Sequence, residues 1–187
     1  MKKLFLTFVI SICFLSYINA QEVLKINLSK SSVHWYGYYT FYFGGHDGTI
    51  DLKEGYFLKT NDKISGGTFI IDMSTIKSTD IENPKSNQGL VNHLKDPDFF
   101  DVSKHPYATL SITKVEYNDS THMRIEADMT IKGITKPINF RAEVNFKEKT
   151  MTTKFKIDRT RWGVNYNSRL KDNAISDAIG FEVKISL

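Results

Sequence analysis

Residues 122–131 read HMRIEADMTI, and this stretch decides the fold class. Every second side chain from position 123 to position 131 is apolar, and the side chains between them are charged or polar. An alternation of period two places the two sets of side chains on opposite faces of a β-strand. The stretch therefore predicts a strand that buries one face and exposes the other.

The same alternation recurs along the chain. Residues 138–146, 151–157 and 179–187 repeat it, and residues 33–43, 49–59, 67–73 and 107–117 are also typical of strands. Glycine, proline, asparagine and aspartate lie between these runs and indicate turns. About eight such strands must bury their apolar faces by packing two sheets or by closing a barrel. The length of the runs favours an all-β, extended eight-stranded antiparallel barrel of lipocalin-like architecture.

One internal segment, residues 83–100, breaks the strand pattern. Leu90, Val91 and Leu94 follow a helical spacing, and Pro97 ends it. We therefore predict a short inserted helix over residues 86–95 that covers one end of the barrel. A second helical turn is expected over residues 161–167.

The N-terminus has the pattern of a secretory signal peptide. Lys2 and Lys3 precede an apolar stretch over residues 4–18, and Ala20 stands before a polar run. The stretch is too short and too polar for a convincing membrane span. We predict a signal peptide over residues 1–20 and an exported, periplasmic or secreted domain over residues 21–187, with an uncleaved anchor as the alternative. Cys13 would be lost with the signal, so no disulfide is expected.

Charge and motif content exclude several classes of function. The formal net charge is +4, and acidic and basic residues are interspersed without the basic stripe of a nucleic-acid-binding protein. The five histidines show no metal-ligand spacing, and no serine stands in a Gly-x-Ser-x-Gly elbow. We therefore expect no catalytic residue, metal or cofactor, and no stable membrane insertion after signal removal. Monomer and homodimer are both compatible with the sequence.

Three stretches resemble the YceI family, the polyisoprenoid-binding lipocalin-like proteins of bacteria. They are LKDPDFFDVSKHPYA at residues 94–108, MTIKGITKPI at 129–138 and FKIDRTRWG at 155–163. Residues 38–45 depart from the family pattern because they are unusually rich in aromatic residues and glycine. The resemblance implies a barrel with an inserted helix, found in the periplasm or secreted. It also implies a long isoprenoid or fatty chain inside that barrel.

The alternation identifies the side chains that would line such a cavity. Part of the inward set would be plain core, and part would contact a ligand. The candidates for the apolar lining are Trp35, Phe69, Ile71, Met123, Ile125, Met129, Phe140, Val144, Phe155, Ile157, Trp162, Phe181 and Val183.

The strand phase also points Arg159 towards the interior. A buried guanidinium must be paired, either with an acidic residue that closes a barrel end or with the head group of a ligand. The sequence thus favours a carrier of an apolar chain. The alternative function is that of a structural or stress-response barrel with a solid core. A third possibility is an enzyme with an unrecognised site.

Overall fold

The computed structural model of the protein describes residues 21–40, 43–166 and 175–187. The predicted signal peptide and Cys13 lie outside the described residues. The helices and strands are β1 (Glu22–Lys25), β2 (Ser32–Tyr39), β3 (Gly45–Thr60), β4 (Lys63–Ser78), α1 (Pro84–Lys95), β5 (Tyr107–Tyr117), β6 (His122–Ile131), β7 (Ile134–Asn145), β8 (Thr150–Asp158) and β9 (Ile175–Ser186). Short 3₁₀ turns cover Leu28–Lys30 and Arg159–Trp162.

The strands form one antiparallel sheet that closes on itself. Within the described residues the strand order is β1-β3-β2-β9-β8-β7-β6-β5-β4, and a further pairing joins β3 to β4. Strands β2 to β9 thus make a closed eight-stranded barrel, which confirms the predicted fold class. The short β1 and strand β2 both pair with β3, one after the other along its length. Val23 of β1 lies opposite Leu58 near the base end of β3, and Val33 of β2 lies opposite Ile50.

Strands β3 and β4 are longer than the sequence predicts, at 16 residues each. Gly48 does not mark a turn but lies inside β3, where the packing of the sheet leaves no room for a side chain. A Cβ at this position would stand 2.7 Å from Cζ2 of Trp35 on the neighbouring strand. The β3–β4 register also shifts at three places, which bends the long pair around the barrel.

The pairing of β7 with β8 covers only part of these strands. The paired stretch runs from Asn145 opposite Thr150 to Ala142 opposite Thr153. Beyond Ala142 and Thr153, towards the other end of the barrel, the two strands are not paired. Pro137 lies in the part of β7 that pairs with β6 but not with β8. Its missing N–H therefore costs no hydrogen bond to β8. The barrel wall is therefore wider on this side.

Helix α1 begins two residues before the predicted start and ends at the predicted Lys95. Asn83 caps it by accepting the N–H of Ser86 at 3.1 Å, and Pro84 occupies the first turn. Val91 and Leu94 are its buried residues. The second helical turn lies earlier than predicted, because the Asp158 carboxylate accepts the N–H of Thr160 and starts it there.

The two ends of the barrel differ in their connections. Helix α1, the 3₁₀ turn Arg159–Trp162 and the β6–β7 and β2–β3 connections lie at one end, called the lid end. The connections β3–β4, β5–β6 and β7–β8 lie at the other end, called the base end. No helix among the described residues has the length and apolarity needed to cross a bilayer.

Candidate functional site: an apolar cavity below the lid

A cavity of about 150 Å³ lies inside the barrel and extends from the lid end as far as Met151 and Ile185, near the base ends of β8 and β9. Inward side chains of β2 to β9 form its wall, and Leu94, Phe99 and Trp162 cover it from the lid end. Its accessible surface is apolar throughout. An apolar cavity of about this volume stays dry and binds a ring such as benzene.

Several inward side chains in the lid half are incompletely packed. Leu52, Ile71 and Leu110 are half-buried although they face the barrel interior, as is Phe155. Phe155 stacks between Phe140 and Phe181, with ring centroids 4.7 and 5.3 Å apart. These three rings form a continuous aromatic wall, and their free faces are available to an apolar ligand.

The base half, in contrast, is solid. Phe57 is 1% exposed, and Met123 and Ile125 are 0% exposed. Phe57 meets Phe69 edge to face, with ring centroids 5.0 Å apart. The cavity wall does not include these three residues, although it reaches Met151 and Ile185 near the base ends of β8 and β9.

Ten of the thirteen predicted lining residues are in the cavity wall: Trp35, Phe69, Ile71, Met129, Phe140, Phe155, Ile157, Trp162, Phe181 and Val183. Met123, Ile125 and Val144 are not, and the prediction for these three is corrected. They face inward as expected, but they are fully packed, since Met123 and Ile125 are 0% exposed and Val144 is 4% exposed. Of the two methionines of β6, Met129 lies in the cavity wall and Met123 lies in the packed core.

Sequence reasoning missed part of the wall. Leu52 and Leu110 alternate correctly on β3 and β5 but were not singled out. Leu94, Phe99 and Phe100 come from the inserted segment, which was predicted to cover one end of the barrel, but they were not singled out as lining residues.

Arg159 faces the interior, as the strand phase predicts, and is 4% exposed. Its Nε donates to the Ser176 carbonyl at 3.2 Å, and its Nη1 donates to the Val164 carbonyl. Its Nη2 lies 3.2 Å from Oδ1 of Asp177. The structure therefore shows the ion pair at the barrel end, while a contact with a ligand head group remains a prediction.

The turn Arg159–Trp162 is fastened across the opening between β7 and β8. Nε1 of Trp162 donates to the Met129 carbonyl at 3.0 Å, and Trp162 is 0% exposed. Nη2 of Arg161 donates to the Pro137 carbonyl at 2.9 Å. The indole thereby closes the wall where the strand ladder is interrupted.

A polar group stands at the end of α1, near the lid. His93, Asp96 and Asp98 bring one ligand atom each to within 4.8 Å of one another. Nδ1 of His93 lies 3.9 Å from Oδ1 of Asp98, and its ring packs edge-on against Phe99 and Tyr166. Both carboxylates are exposed, and exposed acidic groups of this kind are common in proteins that bind no ion.

Comparison with known proteins identifies relatives along nearly the whole described chain. The family model of the YceI-like domain matches residues 24–187. The UPF0312 protein SA2479 of Staphylococcus aureus (strain N315) is 30% identical over 128 residues, which cover 62% of this chain and 71% of its own length. Protein YceI of Escherichia coli O157:H7 is 31% identical over 70 residues, or 37% and 35% of the two chains.

Solved structures share the fold. BcnA of Burkholderia cenocepacia superposes with a TM-score of 0.67 at 16% identity, covering 86% of this chain and 98% of its own. A mutant CJ YCEI protein gives a TM-score of 0.51 at 20% identity, covering 98% and 97%. Both similarities support the barrel.

Proposed function

Since this chain belongs to the family of YceI-like domain proteins, we propose that it is an exported carrier of one apolar chain. The chain would be of the polyisoprenoid or fatty-acid type and would lie in the lid half of the barrel. The single observation that supports this proposal most strongly is the apolar cavity of about 150 Å³ below the lid. A barrel with a solid core would leave no such space.

The energetics favour a long apolar ligand. Each buried methylene contributes about 0.8 kcal/mol, so even part of a chain inside the cavity would add several kcal/mol. The cavity holds about one ring-sized group as it stands. A longer chain would extend towards the lid and displace side chains such as Phe99 and Phe100, which lie on the cavity from the inserted segment.

The composition of the wall argues for binding rather than catalysis. Arg159 is the one charged side chain in the wall within the described residues, and it is held by Asp177. Acid–base chemistry requires groups with tuned pKa values that can reach the substrate. We therefore propose a carrier without turnover, exported by the segment 1–20.

Extraction of the purified protein with organic solvent, followed by mass spectrometry, tests the proposal. We expect an apolar chain in the extract at a fixed ratio to the protein. The matched control is Leu110→Trp, which fills the cavity without touching the surface and should lose that molecule. An empty extract from the wild-type protein, and no uptake of apolar probes after delipidation, would leave the structural barrel as the better reading.

A further inference from the structure

A row of three hydrogen-bonded side chains lies at the lid-side rim of the barrel, on β2, on β3 and just after β4. The hydroxyl of Tyr39 lies 2.9 Å from Nε2 of His46, and Nδ1 of His46 lies 2.7 Å from Oδ2 of Asp80. Tyr39 and His46 lie seven residues apart on the two sides of the β2–β3 connection, and the β3–β4 pairing brings in Asp80, 34 residues after His46. No part of the cavity function described above uses them.

The row faces the barrel interior rather than the outer surface. On β2, Val33, Trp35 and Gly37 line the cavity, and Tyr39 is the next residue in this phase. His46 lies opposite Gly37 and precedes Gly48, which packs under Trp35. The intervening residues face outward.

The cavity reaches the foot of this row. Its wall includes Gly37, which has no side chain to separate the cavity from His46 on the neighbouring strand. Ile175, which pairs with Tyr39, and Ile76, which precedes Asp80 on the inner face, are also in the wall. The three polar side chains are not themselves part of the wall but form the next layer towards the lid end.

Hydrogen bonding fixes the charge and the orientation of the row. Burial raises the pKa of the Asp80 carboxyl, but donors from His46, Ser78 and the Asp47 N–H outweigh this effect and hold the pKa below its usual value. Asp80 is thus a carboxylate at neutral pH. In the tautomer that carries its proton on Nδ1, His46 donates to this carboxylate and its Nε2 accepts the Tyr39 hydroxyl, whose oxygen is then able to accept a further hydrogen bond.

We propose that Tyr39, positioned by His46 and Asp80, binds the neutral hydroxyl end of an apolar ligand whose chain lies in the cavity. An alcohol both donates and accepts, so it fits the tyrosine hydroxyl whichever way the proton of the row is placed. An anionic end would approach the Asp80 carboxylate, and the cation in the wall, Arg159, is already held by Asp177. This inference rests on the proposed carrier function and narrows its ligand to a long-chain alcohol rather than a fatty acid.

The test uses three ten-carbon probes, 1-decanol, decanoate and decane, which displace the neutral dye N-phenyl-1-naphthylamine from delipidated protein at pH 7.5. Wild-type protein should bind 1-decanol more tightly than the other two. Tyr39→Phe should weaken 1-decanol by about three- to tenfold, as expected for one net hydrogen bond, and leave decane unchanged. His46→Phe keeps a ring in place and should give the same selective loss.

Tyr38→Phe is the matched control. Tyr38 faces outward, where its ring lies 4.3 Å from Nζ of Lys156, so its hydroxyl should not affect any probe. Equal binding of 1-decanol and decane, unaffected by Tyr39→Phe, would overturn the polar site and leave the carrier function standing. Failure of all three probes to bind would overturn the carrier function and this inference with it.

Discussion

Two regions of the barrel are built from the same alternating strands, yet the cavity follows β8 and β9 as far as Met151 and Ile185, whereas the base end next to β3 and β6 is filled. At the base end, Phe57, Met123 and Ile125 are at most 1% exposed. In the lid half, Leu52 and Leu110 face inward and are still half-buried. The alternation therefore sets only the direction of a side chain, and another property of the strands decides whether the interior is filled.

One such property is the pairing of neighbouring strands. β7 and β8 pair near the base, between Ala142 and Asn145 on β7, and are not paired on the way to the lid. In the part without pairing, Phe140 and Phe155 stack across the gap and both line the cavity. The turn Arg159–Trp162 covers the opening but does not fill the space below it.

The largest expected effect compares two phenylalanines. Phe57→Ala in the base should lower the free energy of unfolding by about 3–5 kcal/mol, since it leaves a cavity in a packed core. Phe181→Ala in the aromatic wall should cost less than half as much, because that ring already borders empty space. Urea unfolding of both variants without ligand measures the difference, and equal costs would mean that the lid half is packed like the base.

Insertion of a large ring sharpens the comparison from the other side. Ile125→Trp overpacks the base and should cost about 1–3 kcal/mol, or more if the barrel cannot relax. Leu110→Trp places the same ring in the cavity and should change stability by less than about 1 kcal/mol while abolishing uptake of apolar probes. Thermal unfolding and dye binding report the two effects. A large destabilisation by Leu110→Trp would indicate that the cavity is too small to accept any ligand.

Trp162→Phe tests how the lid is fastened to the open side of the wall. The change removes the indole N–H and leaves the buried Met129 carbonyl without its donor, at a cost of about 1–3 kcal/mol. Hydrogen exchange should then quicken in the turn Arg159–Trp162 but not in the base half of β6. Unchanged exchange at the lid would mean that the indole bond does not hold the turn.

The smallest effect concerns acid stability at the base end. The N–H groups of His122 and Thr121 lower the pKa of Asp119 from 3.8 to about 2. A depressed folded-state pKa stabilises the fold above about pH 4, and this contribution is lost as the pH falls towards 2. Asp119→Asn should therefore narrow the difference in urea midpoint between pH 5 and pH 2.5. A difference equal to that of wild-type protein would show that this carboxylate is not coupled to folding.

The sequence predicted correctly which side chains face the barrel interior, but less well which of these border the cavity. Phe140 and Arg159 point inward as the period-two pattern required, and helix α1 lies over the barrel as expected. Met123 and Val144 face inward but are not in the cavity wall, although Met151, which pairs with Val144, is. Alternation gives the face of a side chain but not which of the inward side chains border empty space.

The polar row at the rim could not be predicted for a similar reason. Tyr39 and His46 face each other across one hairpin, but no local spacing links them to Asp80, which lies 34 residues after His46. Only the observation that residues 38–45 depart from the family pattern pointed to this part of the barrel. Contacts between distant strands depend on register, and register in turn depends on bulges that a single sequence does not reveal.

The most direct test of a hollow lid half and a filled base half is to locate a bound chain by NMR. Delipidated protein with labelled isoleucine, leucine and valine methyl groups would be mixed with 1-decanol, and intermolecular nuclear Overhauser effects recorded. We expect contacts from the decyl chain to the methyl groups of Leu52, Ile71 and Leu110, and none to those of Ile125 or Val144. Contacts confined to surface methyl groups, or equally strong at Ile125, would contradict the account.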